Sequence, residues 1–420
     1  MAYISRAMEE LLKRKYASYK CVAITGARQV GKSTLIKHTF PKVKRINLKS
    51  PTLLEAAQSD PDSFLEGFGT PLFVDEVQEC PALLNSAKVI LDEKDENGNY
   101  LFSGSQKWAI MEGLSDSLSG MVGILELPGL SLREIYHVPF SMPFLPSEEY
   151  IKQREKALVP YEDIWSVIHR GSYPELTQNP EKDWEEFYGD YVKTYIERDV
   201  YRITRVRDYM TFYRFLVAVA ARTGNMLDYV SIASEVGVSN DTIKSWVGVL
   251  VKTDIAFLLY PYASSHLSRA IRTPKIYFRD TGLAAYLTSW LSKEALERGA
   301  VSGAFFETFV VNEIAKSYAN AGKDFSKYLF YYRGKDKVKR KQGGEEVFLE
   351  REIDLVIEQN GVLYPIEIKK RGNPTAMDAE AFPVLDKAVD KKRGVGVILC
   401  TGKEKIQLRD NLYSLPIEYI

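Results

Sequence analysis

Gly26-Ala-Arg-Gln-Val-Gly-Lys-Ser33 stands between the apolar run Cys21-Val-Ala-Ile-Thr25 and a helical stretch over 32–39. Gly26 and Gly31 let the chain turn sharply while its backbone N–H groups point inward, which makes a cradle for phosphate oxygens. Lys32 brings a mobile ammonium to the terminal phosphates and Ser33 a hydroxyl to their magnesium ion, while the helix presents the positive end of its dipole. ATP with Mg2+ is the expected ligand, held by Gly26, Arg28, Gln29, Val30, Gly31, Lys32, Ser33 and Thr34.

Working outward, Leu72-Phe-Val-Asp75-Glu76 is an apolar run ending in acids. About 40 residues beyond the glycine loop, it supplies the other half of such a site: Asp75 for the metal, Glu76 to orient or deprotonate the attacking water. The next run ends Ser103-Gly-Ser105, which leaves open a hydroxyl that senses the γ-phosphate or a plain turn. Short strands near 21–25, 44–48, 72–75, 100–103 and 122–127, with helical stretches after the first four, indicate an α/β unit with a mostly parallel sheet.

The full 420 residues are too many for one ordinary core, and the sequence divides into units at 1–130, 131–225, 226–272 and 273–420. Lys plus Arg and Asp plus Glu both total 56, so no global field draws nucleic acid, and any such contact must be local. Cys21, Cys80 and Cys400 are odd in number and far apart, which argues against a disulfide framework and for a cytoplasmic protein. No apolar run reaches about 18 residues, so no membrane partner is expected. His38, His137, His169 and His266 lie near no cysteine, which speaks against zinc.

Residues 130–225 read as mostly helical. A short helix around Ile232–Val236, the turn Gly237-Val238 and Ser239 as N-cap lead into Ile243, Trp246, Val247 and Leu250 at i, i+3, i+4, i+7: a helix-turn-helix outline. The last unit returns to mixed α/β, with a long helix near 303–320 and strands near 328–332, 353–357, 363–369 and 395–400. It contains Glu352-Ile-Asp354 and Glu367-Ile-Lys369, joined across Gln359-Asn360-Gly361, a hairpin-turn signal. A hairpin places Asp354 near Glu367, with Lys369 on the same face. Two carboxylates sharing a divalent ion beside a lysine is phosphodiester-cleaving chemistry, with Glu307 leaning in from the helix; an exposed, salt-bridged hairpin is the alternative. Basic segments at Arg333–Lys341, read as a loop, at Lys369–Arg371 and at Lys391–Arg393 either neutralise phosphates or are simply solvated.

Taken together, the loop 26–33, Phe73-Val-Asp-Glu-Val-Gln78, Phe102-Ser-Gly-Ser-Gln106, Gly171-Ser-Tyr-Pro-Glu175, Tyr195-Ile-Glu-Arg-Asp-Val200, Pro274-Lys-Ile-Tyr-Phe-Arg-Asp-Thr-Gly-Leu283 and Phe306-Glu-Thr-Phe-Val310 resemble the bacterial and archaeal AAA-type ATPases with a C-terminal domain of unknown function. The resemblance implies an AAA-type P-loop domain, a helical lid with a winged-helix segment, and a restriction-endonuclease-like C-terminal domain of the PD-(D/E)xK kind. Carried over, Glu307, Asp354, Glu367 and Lys369 match the nuclease motif, with Asp354 and Glu367 as metal ligands. One departure matters: where relatives carry Gly-Arg after the helix 107–118, this chain has Gly120-Met121, leaving Arg133 or Arg198 as the arginine for the γ-phosphate. Two functions stay open. One is an ATPase coupled to a C-terminal domain that cuts or binds DNA or RNA; the other is a nucleotide switch whose silent C-terminal domain docks a protein or DNA. Oligomerisation is left open in both.

Overall fold

The computed structural model describes residues 3–104, 118–196, 208–263, 273–339, 346–388 and 390–420. Five strands, β1 (Cys21–Thr25), β2 (Lys44–Asn47), β3 (Leu72–Asp75), β4 (Tyr100–Ser103) and β5 (Val122–Glu126), form one sheet in the order β2-β3-β4-β1-β5. Every pairing in it is parallel. All of β1 is buried, and its side chains alternate between two cores: Val22 and Ile24 to one face, Cys21 and Ala23 to the other. Parallel strands covered on both faces read as continuous apolar runs, which is why the pattern marks β1, β3 and β4, while β2 at the sheet's edge has only Ile46 buried.

The α/β unit does not end cleanly. The core that holds Val22 and Ile24 continues through Trp165, Tyr188, Phe215 and Trp246 to Phe306, Ile314 and Leu355, so the lid and the C-terminal unit share one apolar interior with the sheet. Polar ties cross the same junction. Glu313, on the helix Ser302–Asn320, accepts from the backbone N–H of Leu132 at 2.7 Å, and Lys316 donates to Leu130 O at 2.8 Å.

The middle unit carries the helices Tyr229–Val236 and Asn240–Lys252, with Ser239 capping the second as expected and Ile243, Trp246, Val247 and Leu250 buried. They pack beside a three-stranded antiparallel sheet of β6 (Asn225–Met226), β7 (Ala256–Leu259) and β8 (Lys275–Phe278), in the order β6-β8-β7. A boundary at 273 therefore passes between strands of one sheet: β8 pairs backward, with β7 and β6.

The C-terminal unit is a mixed sheet of β9 (Leu329–Lys339), β10 (Glu346–Gln359), β11 (Val362–Lys369), β12 (Lys392–Arg393), β13 (Gly396–Cys400), β14 (Ile406–Arg409) and β15 (Leu412–Pro416). The Asn360-Gly361 hairpin forms as read, with both residues at positive φ and Gln359 opposite Val362. One reading needs correction. Arg333–Lys339 is not loop but strand, paired with Glu346–Arg351 and Glu352. Its charges mask the period-2 apolar pattern, and the partner strand supplies acids opposite the cations: Glu352 faces Arg333 and Glu350 faces Lys335.

The three cysteines are buried and free. Among the described residues, no helix is long and apolar enough to cross a membrane.

Candidate functional site

The loop after β1 is held in shape by backbone that only glycine adopts readily. Gly26 has φ +141°, and a Cβ there would sit 2.3 Å from Leu127 O; Gly31 has φ +95°. Lys32 opens the helix Lys32–Thr39 and curls back, donating to Gly26 O at 2.9 Å and Ala27 O at 2.6 Å. Burial pushes its ammonium down to about 8, against the pull of Glu76 and Asp75. The loop also has a brace that sequence reading missed. Buried Arg6 donates to Val30 O at 2.8 Å and Pro128 O at 2.7 Å, and pairs with buried Glu134 at 2.9 Å. Arg6 lies before the first helix, and no local motif marks it.

Strands β1, β3 and β4 end at the same edge, so parallel pairing sets Asp75 opposite both Asn47 and Ser103. Ser33 Oγ donates to Asp75 Oδ2 at 2.8 Å, Asn47 Nδ2 donates to the same oxygen at 3.1 Å, and the Ser103 hydroxyl donates to Asp75 Oδ1. Ser103 is thus an orienter of Asp75 here. Glu76 adopts left-handed φ of +59°; its Oε1 pairs with Lys49 and its Oε2 accepts from Gln78 Nε2 at 2.6 Å. Burial pushes the Glu76 carboxyl up, but the Lys49 and Gln78 bonds and the Lys49 and Lys32 charges outweigh it and hold it below its usual value.

These groups line a cavity of about 450 Å3 that contains Arg28, Gln29, Gly31, Lys32, Ser33, Thr34, Asp75 and Glu76 from the expected set. Its other wall is new: Lys49, and Pro174, Glu175 and Gln178 from the lid. Pro174 and Glu175 fall in Gly171-Ser-Tyr-Pro-Glu175, a motif whose role spacing alone did not give, and Gln178 lies three residues beyond it. Asp280 holds this lid loop in place. Its Oδ2 accepts from Ser172 N at 2.7 Å and Ser172 Oγ at 2.8 Å, and its Oδ1 from Tyr188 OH at 2.6 Å and Leu283 N at 2.9 Å.

Arg133, one of the two arginines nominated for the γ-phosphate, does not line the cavity. Buried Arg133 donates to Ile420 O at 3.0 Å, Met142 O at 2.7 Å and Tyr150 OH at 2.7 Å, so it ties the lid to the chain's last residue instead. Arg198, like Ser105 and most of the stretch 107–118, lies outside the described residues.

The second cluster forms where β10, β11, β8 and the helix Ser302–Asn320 meet. Asp354 Oδ2 accepts from Ile368 N at 2.8 Å and lies 3.9 Å from Lys369 Nζ, which donates to Glu367 Oε1 at 2.6 Å. Glu307 accepts from Tyr277 OH at 2.7 Å and Lys275 Nζ at 3.1 Å, and Lys275 also reaches Glu352 at 2.8 Å. Burial, then the Asp354 charge, pushes both Glu307 and Glu367 well up; Lys275 and Lys369 oppose this. Lys275 is itself raised, because Glu307, Asp354 and Glu352 outweigh its burial. Lys275 and Tyr277 were legible only as part of a family motif, since they come from the preceding sheet.

Among the described residues, no three His, Cys, Asp or Glu side chains converge as a ready metal site. The donor chemistry still suits hard cations. Ser33 and Asp75 offer adjacent oxygens, and magnesium needs few protein ligands when phosphates and water complete its shell. In the second cluster, buried Glu367 Oε2 has no hydrogen-bond partner among the described residues.

Several cations of the basic segments are ion-paired. Arg333 pairs with Glu350 at 3.2 Å, Arg371 with Asp378, Lys391 with Glu358, and Arg393 with Asp386 at 2.7 Å.

Sheet, loop and cavity define the N-terminal unit as a P-loop nucleotide-binding domain, and over residues 18–136 the chain is similar to the family model described as AAA domain. Residues 161–294 and 302–420 match two models described as domains of unknown function, DUF8612 and DUF4143. An uncharacterized protein of Mycobacterium tuberculosis, Rv2008c, is 24% identical over 410 residues, covering 97% of this chain and 82% of its own length. The uncharacterized protein Mb2031c of Mycobacterium bovis matches to the same extent. Among solved structures, the Walker-type ATPase PABY2304 of Pyrococcus abyssi overlaps with TM-score 0.40 at 14% identity, over 68% of this chain and 96% of that one. A STAND protein with a tetratricopeptide repeat sensor from Pyrococcus horikoshii overlaps with TM-score 0.25 at 12% identity, over 76% of this chain and 50% of that one.

Proposed function

We propose that this protein binds ATP with magnesium, hydrolyses it slowly, and couples its nucleotide state to a carboxylate–lysine site in a restriction-endonuclease-like C-terminal unit that acts on nucleic acid. The ATP half rests on one observation: a single cavity brings the glycine loop, Asp75 and Glu76 under a wall of lid residues. Ser33 and Asp75 would hold magnesium, which neutralises charge on the phosphates; Glu76 takes the proton of the attacking water.

Coupling is supported by the stretch from Lys275 to Asp280. Lys275 and Tyr277 hold Glu307, Arg279 reaches Glu126 at the end of β5 at 3.1 Å, and Asp280 fixes the lid loop that borders the nucleotide cavity. The middle unit, with two helices beside a small antiparallel sheet, fits a winged-helix segment used for this packing.

For the C-terminal unit, the buried, unpartnered Glu367 oxygen beside Asp354 favours a divalent ion and hence cleavage. Asp354 and Glu367 would be its ligands and Lys369 would polarise water. Plasmid or RNA nicking with magnesium or manganese should fall about 100-fold or more in Asp354→Ala and in Lys369→Ala, the scale of losing metal or acid–base assistance. The acids paired with Arg333, Arg371, Lys391 and Arg393 favour the second reading, a silent docking unit that binds a protein or DNA. Wild-type protein that nicks neither DNA nor RNA would leave that reading standing.

A further inference from the structure

A P-loop site gains much of its rate from a cation on the γ-phosphate besides the loop lysine, and Met121, after the helical stretch 107–118, supplies none. Met121 packs against the sheet's second core, and Arg133 is committed to Ile420 and the lid. The cations lining the cavity among the described residues are Arg28, Lys32 and Lys49. Arg28 and Lys32 belong to the phosphate loop itself. Lys49 lies outside that loop, two residues beyond Asn47, whose β2 position pairs with Asp75.

Lys49 is placed there by a relay. Asn47 Oδ1 accepts from the Lys49 backbone N–H at 2.8 Å, while Asn47 Nδ2 donates to Asp75. The Lys49 side chain is half exposed, lines the cavity and pairs with Glu76, the acid assigned to the attacking water. A lysine held on that acid at the phosphate cavity gains a more highly charged partner when a γ-phosphate is present.

We infer that Lys49 is a catalytic residue of the ATPase: it leaves Glu76 for the γ-phosphate of bound ATP, supplying in cis the missing cation and freeing the Glu76 carboxylate for water. This rests on the ATP reading of the cavity. In the reaction, water oxygen bonds to the γ-phosphorus as the bond from phosphorus to the β–γ bridging oxygen breaks. That electron pair leaves with ADP, and the water proton passes to Glu76 and on to solvent. Lys49 lowers the charge on the γ oxygens and ends unchanged. A single ammonium lacks the forked donor geometry of an arginine, in keeping with slow turnover.

The test uses the full chain with magnesium. Lys49→Met should cut kcat about 100-fold or more while ADP affinity stays within about two-fold, with Lys49→Arg recovering much of the loss. In a Glu76→Gln background, where ATP persists long enough for equilibrium binding, Lys49→Met should still weaken ATP relative to ADP by about ten-fold. That loss separates a lysine on the phosphate from one that merely positions Glu76. Unchanged kcat, a rise in kcat, or an unchanged ATP-to-ADP preference in that background overturns the assignment while leaving ATP binding intact. A wild-type chain that takes up no nucleotide overturns both.

Discussion

Lys32→Ala is expected to raise the dissociation constant for ATP about 100-fold or more. Two or more charge-assisted hydrogen bonds to phosphate oxygens, each contributing about 1.5–3 kcal/mol, are lost with the ammonium. The free protein suffers too. Lys32 Nζ bridges Gly26 O and Ala27 O, so its loss also removes the clasp that keeps the empty loop in its binding shape. Anisotropy of a fluorescent ATP analogue, or equilibrium dialysis with labelled ATP, measures the change, and circular dichroism checks that the fold survives. Affinity within about three-fold of wild type would mean that the cavity does not hold a triphosphate in this way.

The second large effect should come from Asp280, which touches neither the expected phosphates nor the C-terminal carboxylates. Its carboxylate is buried and accepts four hydrogen bonds, from Ser172 N, Ser172 Oγ, Tyr188 OH and Leu283 N. Asp280→Ala strands those donors in an apolar interior, at a cost of about 3–5 kcal/mol. Asp280→Asn keeps an acceptor for one pair of donors and turns an amide toward the other, so it should lose about half as much. Urea denaturation of both variants reads the effect. Because Ser172 precedes the Pro174 and Glu175 wall of the nucleotide cavity, ATP affinity should fall about ten-fold in the alanine variant even where it remains folded. A stability midpoint and affinity equal to wild type would remove Asp280 from the lid's support.

The parts that were legible in the sequence are those where local chemistry dictates shape. A glycine-framed loop, a strand ending Asp75-Glu76 and an Asn360-Gly361 hairpin each need particular residues at fixed spacing, and the structure brings them into one cavity and one turn. Ser239 and the apolar spacing of Ile243, Trp246, Val247 and Leu250 marked a helix for the same reason.

What stayed hidden depends on partners distant in sequence. Arg6 braces Val30 and Pro128 from the first few residues, and its type alone does not announce a buried role. Arg133 was a candidate for the γ-phosphate; only the fold shows it bound to Ile420 and Tyr150. Lys275 stood in the sequence only as one residue of the motif Pro274–Leu283 until β8 delivered it to Glu307 and Glu352. The outer part of the β9–β10 ribbon, Arg333–Lys339 against Glu346–Glu352, was hidden because its charged residues carry no alternating apolar pattern.

The stretch from Lys275 to Asp280 limits how this protein can be dissected. Five residue steps, about 17 Å of extended chain, separate the lysine at one cluster from the aspartate that steadies the other. A fragment beginning at Ser302 would carry Glu307 without its phenol and ammonium neighbours, leaving an interior acid bare. A fragment stopping before Lys275 would keep the glycine loop but drop the anchor of its lid. Recombinant halves would each be born damaged, and only cuts that spare this short span leave either portion whole.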